Sequence, residues 1–281
     1  MTSFSAPTTE SQPGRAGRNL PAAIAVGIAL VAVIIASLFV VEEAFLVVVL
    51  AAAGLGLLEL RSAFAVASIR LPMIPVAVGG AAMLVGSYYE GTRALSVAMA
   101  LTLIALSVWR LAGGAEGFVR DATAGAFAAA YVPLLGSFVL LMLSESNGAW
   151  RVVTFIATTA FSDIGGYAAG AVLGRHPMAP KISPKKSWEG FAGSVIASMT
   201  VGYLLVTMAL EGPGWVGLLL GLVVALTATT GDLVESVIKR DLGIKDMGTL
   251  LPGHGGIMDR LDSLLVVAPV CWLMLQLVET L

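Results

Sequence analysis

Long apolar segments separated by short polar ones are the feature that most constrains how this chain can fold. An apolar run of about 18 or more residues can cross a bilayer as a helix, because a helix satisfies its own backbone hydrogen bonds. The pattern therefore predicts an all-α, polytopic integral membrane protein. We identify about nine transmembrane helices by this criterion: 20–41, 44–60, 72–89, 95–111, 125–143, 152–171, 191–210, 215–234 and 263–281.

The composition of the 281-residue chain supports this assignment. Hydrophobic residues make up 58% of the chain and charged residues only 12%, whereas a soluble domain has about 45–50% apolar and about 25% charged residues. The runs are continuously apolar, unlike the alternating strands of an outer-membrane barrel. The single cysteine, Cys271, lies in the last run and cannot form an intrachain disulfide, so we expect a buried free thiol.

The chain divides into three parts. Residues 1–19 are rich in Ser, Thr, Pro and Gly, which predicts a disordered cytoplasmic tail. The segment 20–41 is too long for the apolar core of a cleaved signal peptide and ends in Val-Glu-Glu, so it is interpreted as the first span. We assign 20–150 to an N-terminal transmembrane region and 151–281 to a C-terminal transmembrane region that carries the catalytic residues.

The distribution of basic residues predicts the orientation, because cytoplasmic loops carry an excess of Lys and Arg. If the amino terminus is cytoplasmic, only Arg93 and Arg151 of the 16 basic residues lie on the outer side. We therefore expect a multi-pass protein of the cell membrane (inner or plasma) with a cytoplasmic amino terminus. The two most polar loops, 172–190 and 235–262, then share the cytoplasmic face, so the active site is expected there.

The segment 231–262 has the residues expected of a phosphate or metal site. On a helix, Asp232, Glu235, Ser236 and Lys239 follow an i, i+3, i+4, i+7 spacing and share one face. This face begins at the edge of the apolar core, where ionisable side chains are costly and usually functional. A solvated loop that merely follows the positive-inside bias is the alternative.

A second pair of carboxylates, Asp259 and Asp262, is spaced i, i+3 with Arg260 between them. Two acidic pairs surrounded by basic residues suit a hard cation that holds phosphates, and Mg²⁺ binds through one or two carboxylates together with phosphate oxygens. The glycine-rich turn 252–256 lets the backbone approach a ligand closely. His254 in this turn is either catalytic or a hydrogen-bond partner of nearby backbone.

Another polar cluster starts inside the sixth span, at Asp163. A carboxylate within a span calls for a metal ion, a base or a water-filled cavity, and a role in snorkelling or helix packing is the alternative. The glycines that follow, Gly166, Gly170 and Gly174, form a ridge of small residues that predicts close helix packing.

The loop before the seventh span carries lysines and hydroxyl groups. Ser183, Lys185 and Lys186 lie close to the start of that span, whose helix dipole also attracts anions, so we predict a phosphate-binding mouth here. Trp188 is interpreted as an anchor at the membrane interface rather than a base-stacking residue. Attraction of the lysines to lipid headgroups is an alternative that suits an enzyme acting on an anionic lipid.

Together these residues resemble the signature of phosphatidate cytidylyltransferases, also called CDP-diacylglycerol synthases. The resemblance covers residues 160–265 at the level of motifs, and within 183–190 it has Ser187 where threonine is common in the family. The positions that carry the main match are Ser236, Lys239, Arg240, Lys245, Asp246, His254, Gly255, Gly256, Asp259, Arg260 and Asp262.

The resemblance implies an integral-membrane enzyme that joins CTP and phosphatidic acid to give CDP-diacylglycerol and pyrophosphate. It also implies Mg²⁺ dependence, a homodimer, and a funnel-like cavity open to lipid and cytosol; no nucleic-acid partner is expected. By carry-over, Asp232 and Asp259 are the implied metal ligands, and Asp163 is a further candidate from its place in the span. The implied catalytic residues are Asp232, Lys239, Asp246, Asp259 and Asp262; the implied substrate-binding residues are Ser183, Lys185, Lys186, Ser236, Arg240, His254, Gly255, Gly256 and Arg260.

Two other classes of function stay open. A cation-coupled transporter also has intramembrane carboxylates, but it predicts ionisable residues in several spans and an internal repeat, and neither is evident in this sequence. A CTP-dependent polyprenol or lipid kinase has similar hydropathy and nucleotide chemistry, but it would not explain the match over 236–262. A CDP-alcohol phosphotransferase is disfavoured because its Asp-Gly-x-x-Ala-Arg pattern is absent.

Overall fold

The computed structural model describes residues 20–248 and 256–280, with side chains described within 27–248 and 256–278. The predicted disordered tail, 1–19, lies outside the described residues. The helices are α1 (Leu20–Phe39), α2 (Glu42–Val66), α3 (Met73–Leu111), α4 (Phe118–Ala129), α5 (Leu135–Leu143), α6 (Gly148–Leu173), α7 (Trp188–Met208), α8 (Gly214–Asp241) and α9 (Met258–Thr280), and a π-helical turn (Ala130–Leu134) joins α4 to α5.

Helices long and apolar enough to cross a membrane dominate the fold. Seven are found within the described ranges, with the π-helical turn joining α4 and α5 into one, and the part of α1 from Gly27 to Phe39 is a shorter apolar helix. Large hydrophobic side chains such as Val31, Val78 and Val172 are exposed along these helices, as expected of surfaces that face lipid. The prediction of a helical, multi-pass membrane protein is confirmed, whereas the count of nine spans stays a prediction.

The 39-residue helix α3 contains two of the predicted spans, 72–89 and 95–111. Its backbone leaves the helical conformation at Gly91, where φ is 70°. Gly79 lies against the Thr102 side chain, although these residues would be about 35 Å apart in a straight helix. The chain therefore reverses at Gly91, which needs a residue without a Cβ at this φ, and α3 is a hairpin of two helical halves.

Close packing of small residues joins α6, α7, α8 and α9 side by side. A Cβ built on Gly193 of α7 would lie 2.5 Å from the carbonyl oxygen of Gly165 in α6. Gly166 and Gly170 pack against the start of α7 in the same way, which confirms the predicted ridge. The backbones of α6 and α7 therefore lie in close contact.

Two features of the polar loops differ from the sequence-based boundaries. The loop 172–190 contains a short antiparallel hairpin, β1 (Pro177–Ala179) paired with β2 (Ser183–Ser187), within an otherwise helical fold. The predicted loop 235–262 is wrong at both ends, because α8 continues to Asp241 and α9 begins at Met258. Basic residues in the last turn of α8 stabilise that extension, since they interact favourably with the negative end of the helix dipole.

The prediction that the single cysteine is a buried free thiol is confirmed. Cys271 is fully buried in α9 and forms no disulfide.

We predict that Gly193→Ala destabilises the protein by about 1–3 kcal/mol, because the added methyl group would overpack the contact with α6. Gly54→Ala is the matched control, since a Cβ there meets no atom within 4 Å and alanine favours a helix by about 0.5–1 kcal/mol. Thermal unfolding of the two variants in detergent checks this. Equal melting temperatures would show that α6 and α7 are not held at this short distance.

Candidate active site

Helices α8 and α9 cross where Gly231 of α8 meets the backbone of α9. A Cβ on Gly231 would lie 2.7 Å from the carbonyl oxygen of Asp262. This close approach brings the carboxyl groups of Asp232 and Asp262 within hydrogen-bonding reach of each other. Asp163 of α6 lies beside them, because the Ser263 side chain next to Asp262 is close enough to interact with its carboxylate. Three helices thus converge on one group of carboxylates.

Lys186 brings a positive charge to this group from the β2 strand. Its ammonium group forms an ion pair with Asp232 and approaches the carbonyl oxygen of Thr229 at 3.5 Å. The strand ends at Ser187, whose side chain caps α7 by accepting a hydrogen bond of 3.1 Å from the Gly190 amide. Lys186 therefore lies between the carboxylates and the amino-terminal end of α7.

A second ion-pair group lies one turn further along α8. The Lys239 ammonium donates to Glu235 at 2.5 Å and to Asp259 at 3.0 Å. The contact between Glu235 and Lys239 is the i, i+4 pair expected from their shared helix face. Glu235 is only 1% exposed, so this lysine neutralises carboxylate charge that would otherwise be costly to bury.

Asp259 also holds both ends of the segment that joins α8 to α9. Its carboxylate accepts a hydrogen bond from the Gly256 amide at 2.9 Å and is approached by the Met247 amide at 3.3 Å. Because Asp259 lies in the first turn of α9, these bonds tie both ends of the connecting segment to the start of that helix. His254 and Gly255, two of the predicted substrate-binding residues, belong to this segment but lie outside the described residues.

Glu59 of α2 completes the clamp and was not found from the sequence. Its Oε2 accepts a hydrogen bond of 2.9 Å from the Met258 amide at the start of α9. It also packs against both loop ends, because a Cβ on either Gly248 or Gly256 would collide with its carboxylate. Glu59 is 8% exposed, and a buried carboxylate in an apolar helix is the signal that identifies it.

Tyr131 is another residue that sequence analysis did not identify. It lies in the π-helical turn next to Pro133, and its ring is buried. Its hydroxyl lies close enough to Glu235, Asp262 and Asp232 to interact electrostatically with them. Among the described residues it has no hydrogen-bond partner. A π-bulge often marks a functional position within a helix.

A cavity of about 260 Å³ opens beside the carboxylates, between α6, β2, α7 and α8. Asp163, Asp232 and Lys186 line one part of it, while Lys185 and Ser187 line the side near the amino-terminal end of α7. Aromatic and small residues, including Tyr167 and Gly166, line the rest. The cavity thus combines carboxylates, ammonium groups and a helix terminus, which suits a ligand that carries both phosphates and a metal ion.

The structure places the remaining predicted site residues around this centre. Ser183 is half-buried at the start of β2, and Ser236 is half-buried on α8. The other three, Arg240, Asp246 and Arg260, are exposed on the same end of the bundle. Asp259 forms its ion pair with Lys239, whereas Asp232 forms its ion pair with Lys186, so the assignment of Asp232 and Asp259 to one metal stays a prediction.

The donor set fits a hard divalent cation. Asp232 and Asp262 carry two carboxyl groups in mutual contact, and Asp163 lies beside them, whereas one lysine supplies the nearest ion pair. Like charges this close require a proton or a cation between them. Within the described ranges, no group of three or more acidic, histidine or cysteine side chains is arranged to hold a metal ion by itself. Mg²⁺ usually takes its other ligands from water and phosphate.

Comparison with known proteins agrees with this chemistry. The chain matches the cytidylyltransferase family over residues 21–278. The chain belongs to this family. It is 42% identical over 286 residues to a phosphatidate cytidylyltransferase of Mycobacterium leprae, which covers 96% of this chain and 91% of that protein.

Two further relatives carry the same description. A phosphatidate cytidylyltransferase of Mycobacterium tuberculosis is 40% identical over 284 residues, covering 96% of this chain and 86% of the relative. A phosphatidate cytidylyltransferase of Brucella melitensis is 39% identical over 150 residues, covering 53% of this chain and 55% of the relative. The first of these matches extends through the N-terminal half, where the sequence-based resemblance had rested on hydropathy alone.

We predict that Glu59→Ala speeds hydrogen exchange of the backbone amides at 256–260, because the acceptor of the Met258 amide is lost. A buried donor left without its partner costs about 1–3 kcal/mol, so local opening should become roughly tenfold more frequent. Exchange followed by mass spectrometry on the protein in detergent measures this.

Two variants serve as controls for this measurement. Glu59→Gln keeps an acceptor oxygen and should retain most of the protection, while Glu90→Ala removes an exposed carboxylate of α3. Exchange at 256–260 in Glu59→Ala no faster than in Glu90→Ala would show that Glu59 does not hold the start of α9.

Proposed function

We propose that this chain is a phosphatidate cytidylyltransferase, which transfers the cytidylyl group of CTP to phosphatidic acid and releases pyrophosphate. Its site is the cavity between α6, β2, α7 and α8. The observation that carries the proposal is the ion pair of Lys186 with Asp232 on one wall of this cavity, with the carboxyl group of Asp262 within hydrogen-bonding reach of Asp232. The full-length similarity to proteins described by this activity supports it.

The nucleotide phosphates would bind between the lysines of β2 and the carboxylates. Lys185 and Lys186 line the cavity next to the amino-terminal end of α7, where the helix dipole favours negative charge. In this arrangement the Lys186 ammonium group would contact both Asp232 and a phosphate oxygen of the nucleotide. Arg260, which is exposed at the first turn of α9, adds positive charge at the same rim.

For this reaction the site mainly has to position the two substrates and neutralise the charge on their phosphates. An oxygen of the phosphatidate phosphate attacks the α-phosphorus of CTP, and the bond from that phosphorus to the β-phosphate oxygen breaks. A phosphate monoester is already ionised near neutral pH, so the attack needs no strong base. The lysines offset the charge that accumulates on the departing pyrophosphate.

Mg²⁺ is the cofactor that we infer, held by Asp232 and Asp262 with Asp163 beside them. When bound, it would neutralise and align phosphate oxygens of the nucleotide. Asp259 and Lys239 would then act mainly by fixing the start of α9, and so the position of Asp262. Asp246 lies in the segment that this clamp closes.

The two substrates indicate on which side of the membrane the site opens and how the lipid reaches it. We infer that it opens on the cytoplasmic side of the cell membrane, because CTP is soluble and the distribution of basic residues predicts a cytoplasmic position for these loops. Phosphatidic acid would enter sideways from the lipid through the helices that line the cavity. We also infer a homodimer, which a mass measurement of the protein in nanodiscs tests.

We predict that Asp259→Asn lowers cytidylyl transfer by about 100-fold or more. The substitution removes the negative charge that faces Lys239 and weakens the hydrogen bonds that hold the start of α9. The assay follows cytidine label from CTP into the lipid phase with phosphatidic acid and Mg²⁺. Asp241→Asn is the matched control, since Asp241 is exposed at the last residue of α8. Full activity of Asp259→Asn would show that cytidylyl transfer does not require this carboxylate.

Label placement in the same assay separates the alternative functions. Cytidylyl transfer carries the α-phosphate into lipid and leaves the γ-phosphate in pyrophosphate. A lipid kinase would instead carry the γ-phosphate into lipid, and a transporter would carry neither. Wild-type protein that moves only γ-label, or no label, would overturn the proposed function.

We predict that Asp232→Asn raises the Mg²⁺ concentration for half-maximal transfer by roughly tenfold, because a bound cation loses one of its charged ligands. Mn²⁺ binding followed by electron paramagnetic resonance gives a readout that does not depend on turnover. Asp241→Asn serves again as the control. Unchanged Mn²⁺ affinity in Asp232→Asn would show that the metal is held elsewhere.

A further inference from the structure

A second charged group lies outside the candidate active site, at the start of α4. Asp121 is fully buried, and its carboxylate accepts from the Nε atoms of Arg110 at 3.0 Å and Arg120 at 3.2 Å. The Arg70 backbone amide donates to it at 3.2 Å. One carboxylate thus fixes two guanidinium groups from α3 and α4 and ties them to the connection between α2 and α3.

The backbone around this group is shaped to hold the arginines. Ser68 adopts φ 58°, a conformation that costs energy for a residue with a Cβ and lies just before Arg70 in the turn after α2. Between α3 and α4, Gly117 adopts φ 67°, and a Cβ built there would lie 3.1 Å from Arg120 Nη2. The Arg110 Nη2 atom is held in addition by the Glu116 carbonyl at 2.7 Å.

These residues line a cavity of about 490 Å³, which we call the arginine cavity. Its size falls within the range of about 300–1,000 Å³ that is usual for ligand sites. The titratable side chains of its lining are Arg70, Arg110, Arg120, Glu116 and Asp121. Positive charge is therefore in excess even when both carboxylates are counted. Such an excess at the edge of a membrane protein favours an anionic ligand.

The arginine cavity faces the same side of the membrane as the candidate active site. Glu59 contacts the start of α9, and Ala65, which lines the arginine cavity, lies six residues further along α2, or about 9 Å. The two sites are thus near the same end of the bundle. They are nevertheless built from different helices, because α6, α7 and α8 line the active-site cavity.

We propose that the arginine cavity binds the phosphate group of an anionic phospholipid, at a site separate from the catalytic carboxylates. Guanidinium groups bind phosphate through paired, geometrically matched hydrogen bonds. Asp121 holds both guanidinium groups through Nε, which fixes the planes of their terminal nitrogens before a ligand arrives. The helices on either side present apolar surface to lipid, so the acyl chains of such a ligand remain in the bilayer.

The test uses the purified full-length protein in detergent and native mass spectrometry. The probe is phosphatidylglycerol, with phosphatidylcholine as the neutral lipid. We expect wild-type protein to retain phosphatidylglycerol preferentially, and Arg120→Gln to bind it roughly tenfold more weakly, since a charge-assisted contact is lost. The Arg120 side chain is 51% exposed, so this variant is expected to fold.

Two comparisons make the result specific. Arg93→Gln removes an exposed arginine beside the reversal of α3 at Gly91, away from the arginine cavity, and should bind the lipid like wild type. Arg120→Lys keeps the charge but loses the fork of the guanidinium group, and should bind with intermediate affinity. Equal retention of the two lipids by wild type, or equal binding by Arg120→Gln and Arg93→Gln, would overturn the proposal.

Competition with soluble phosphate shows whether the arginine cavity selects a phosphate attached to lipid or a soluble anion. Inorganic phosphate or CTP at millimolar concentration should leave phosphatidylglycerol bound, if the site selects a phosphate attached to lipid. Displacement of the lipid from wild type by inorganic phosphate, with no such effect in Arg120→Gln, would show instead a site for a soluble anion and would overturn its assignment to phospholipid.

Discussion

The close crossing of α8 and α9 at Gly231 is the contact on which the candidate site depends. It places Asp232, which lines the cavity, side by side with Asp262, which is buried. Two carboxylates in this position are stable only with a proton, a metal ion or a basic side chain between or beside them. Lys186 supplies this positive charge to Asp232, and Lys239 does the same for the neighbouring Glu235. The same requirement makes the site ready to receive a cation together with phosphates.

Connections from distant parts of the chain keep this crossing in place. Small residues set the distances between α6, α7 and α8, while Asp259 and Glu59 fix the start of α9 from two sides. The N-terminal half therefore contributes to the site through α2, although it supplies none of the residues identified from the motifs.

Much of this arrangement follows from local sequence patterns. Hydropathy predicted the helices, and the glycine ridge predicted close helix packing, which the structure shows between α6 and α7. The shared face predicted for Glu235 and Lys239 agrees with their ion pair. Contacts between residues far apart in the chain could not be predicted this way. Glu59 and Met258 are separated by 199 positions, and the partners of Asp121 come from three segments. The predicted span 215–234 ends before α8 does, at Asp241, because polarity marks the membrane edge and does not mark the end of a helix.

Structure determination of the protein with CTP and Mg²⁺ in lipid nanodiscs tests the central claim most directly. If the carboxylates and lysines form the nucleotide site, density for the triphosphate lies between Lys186 and Asp232, and a metal ion contacts Asp232 or Asp262. Density for CTP outside the cavity between α6, β2, α7 and α8 would contradict this account. So would a metal ion bound without any of these carboxylates.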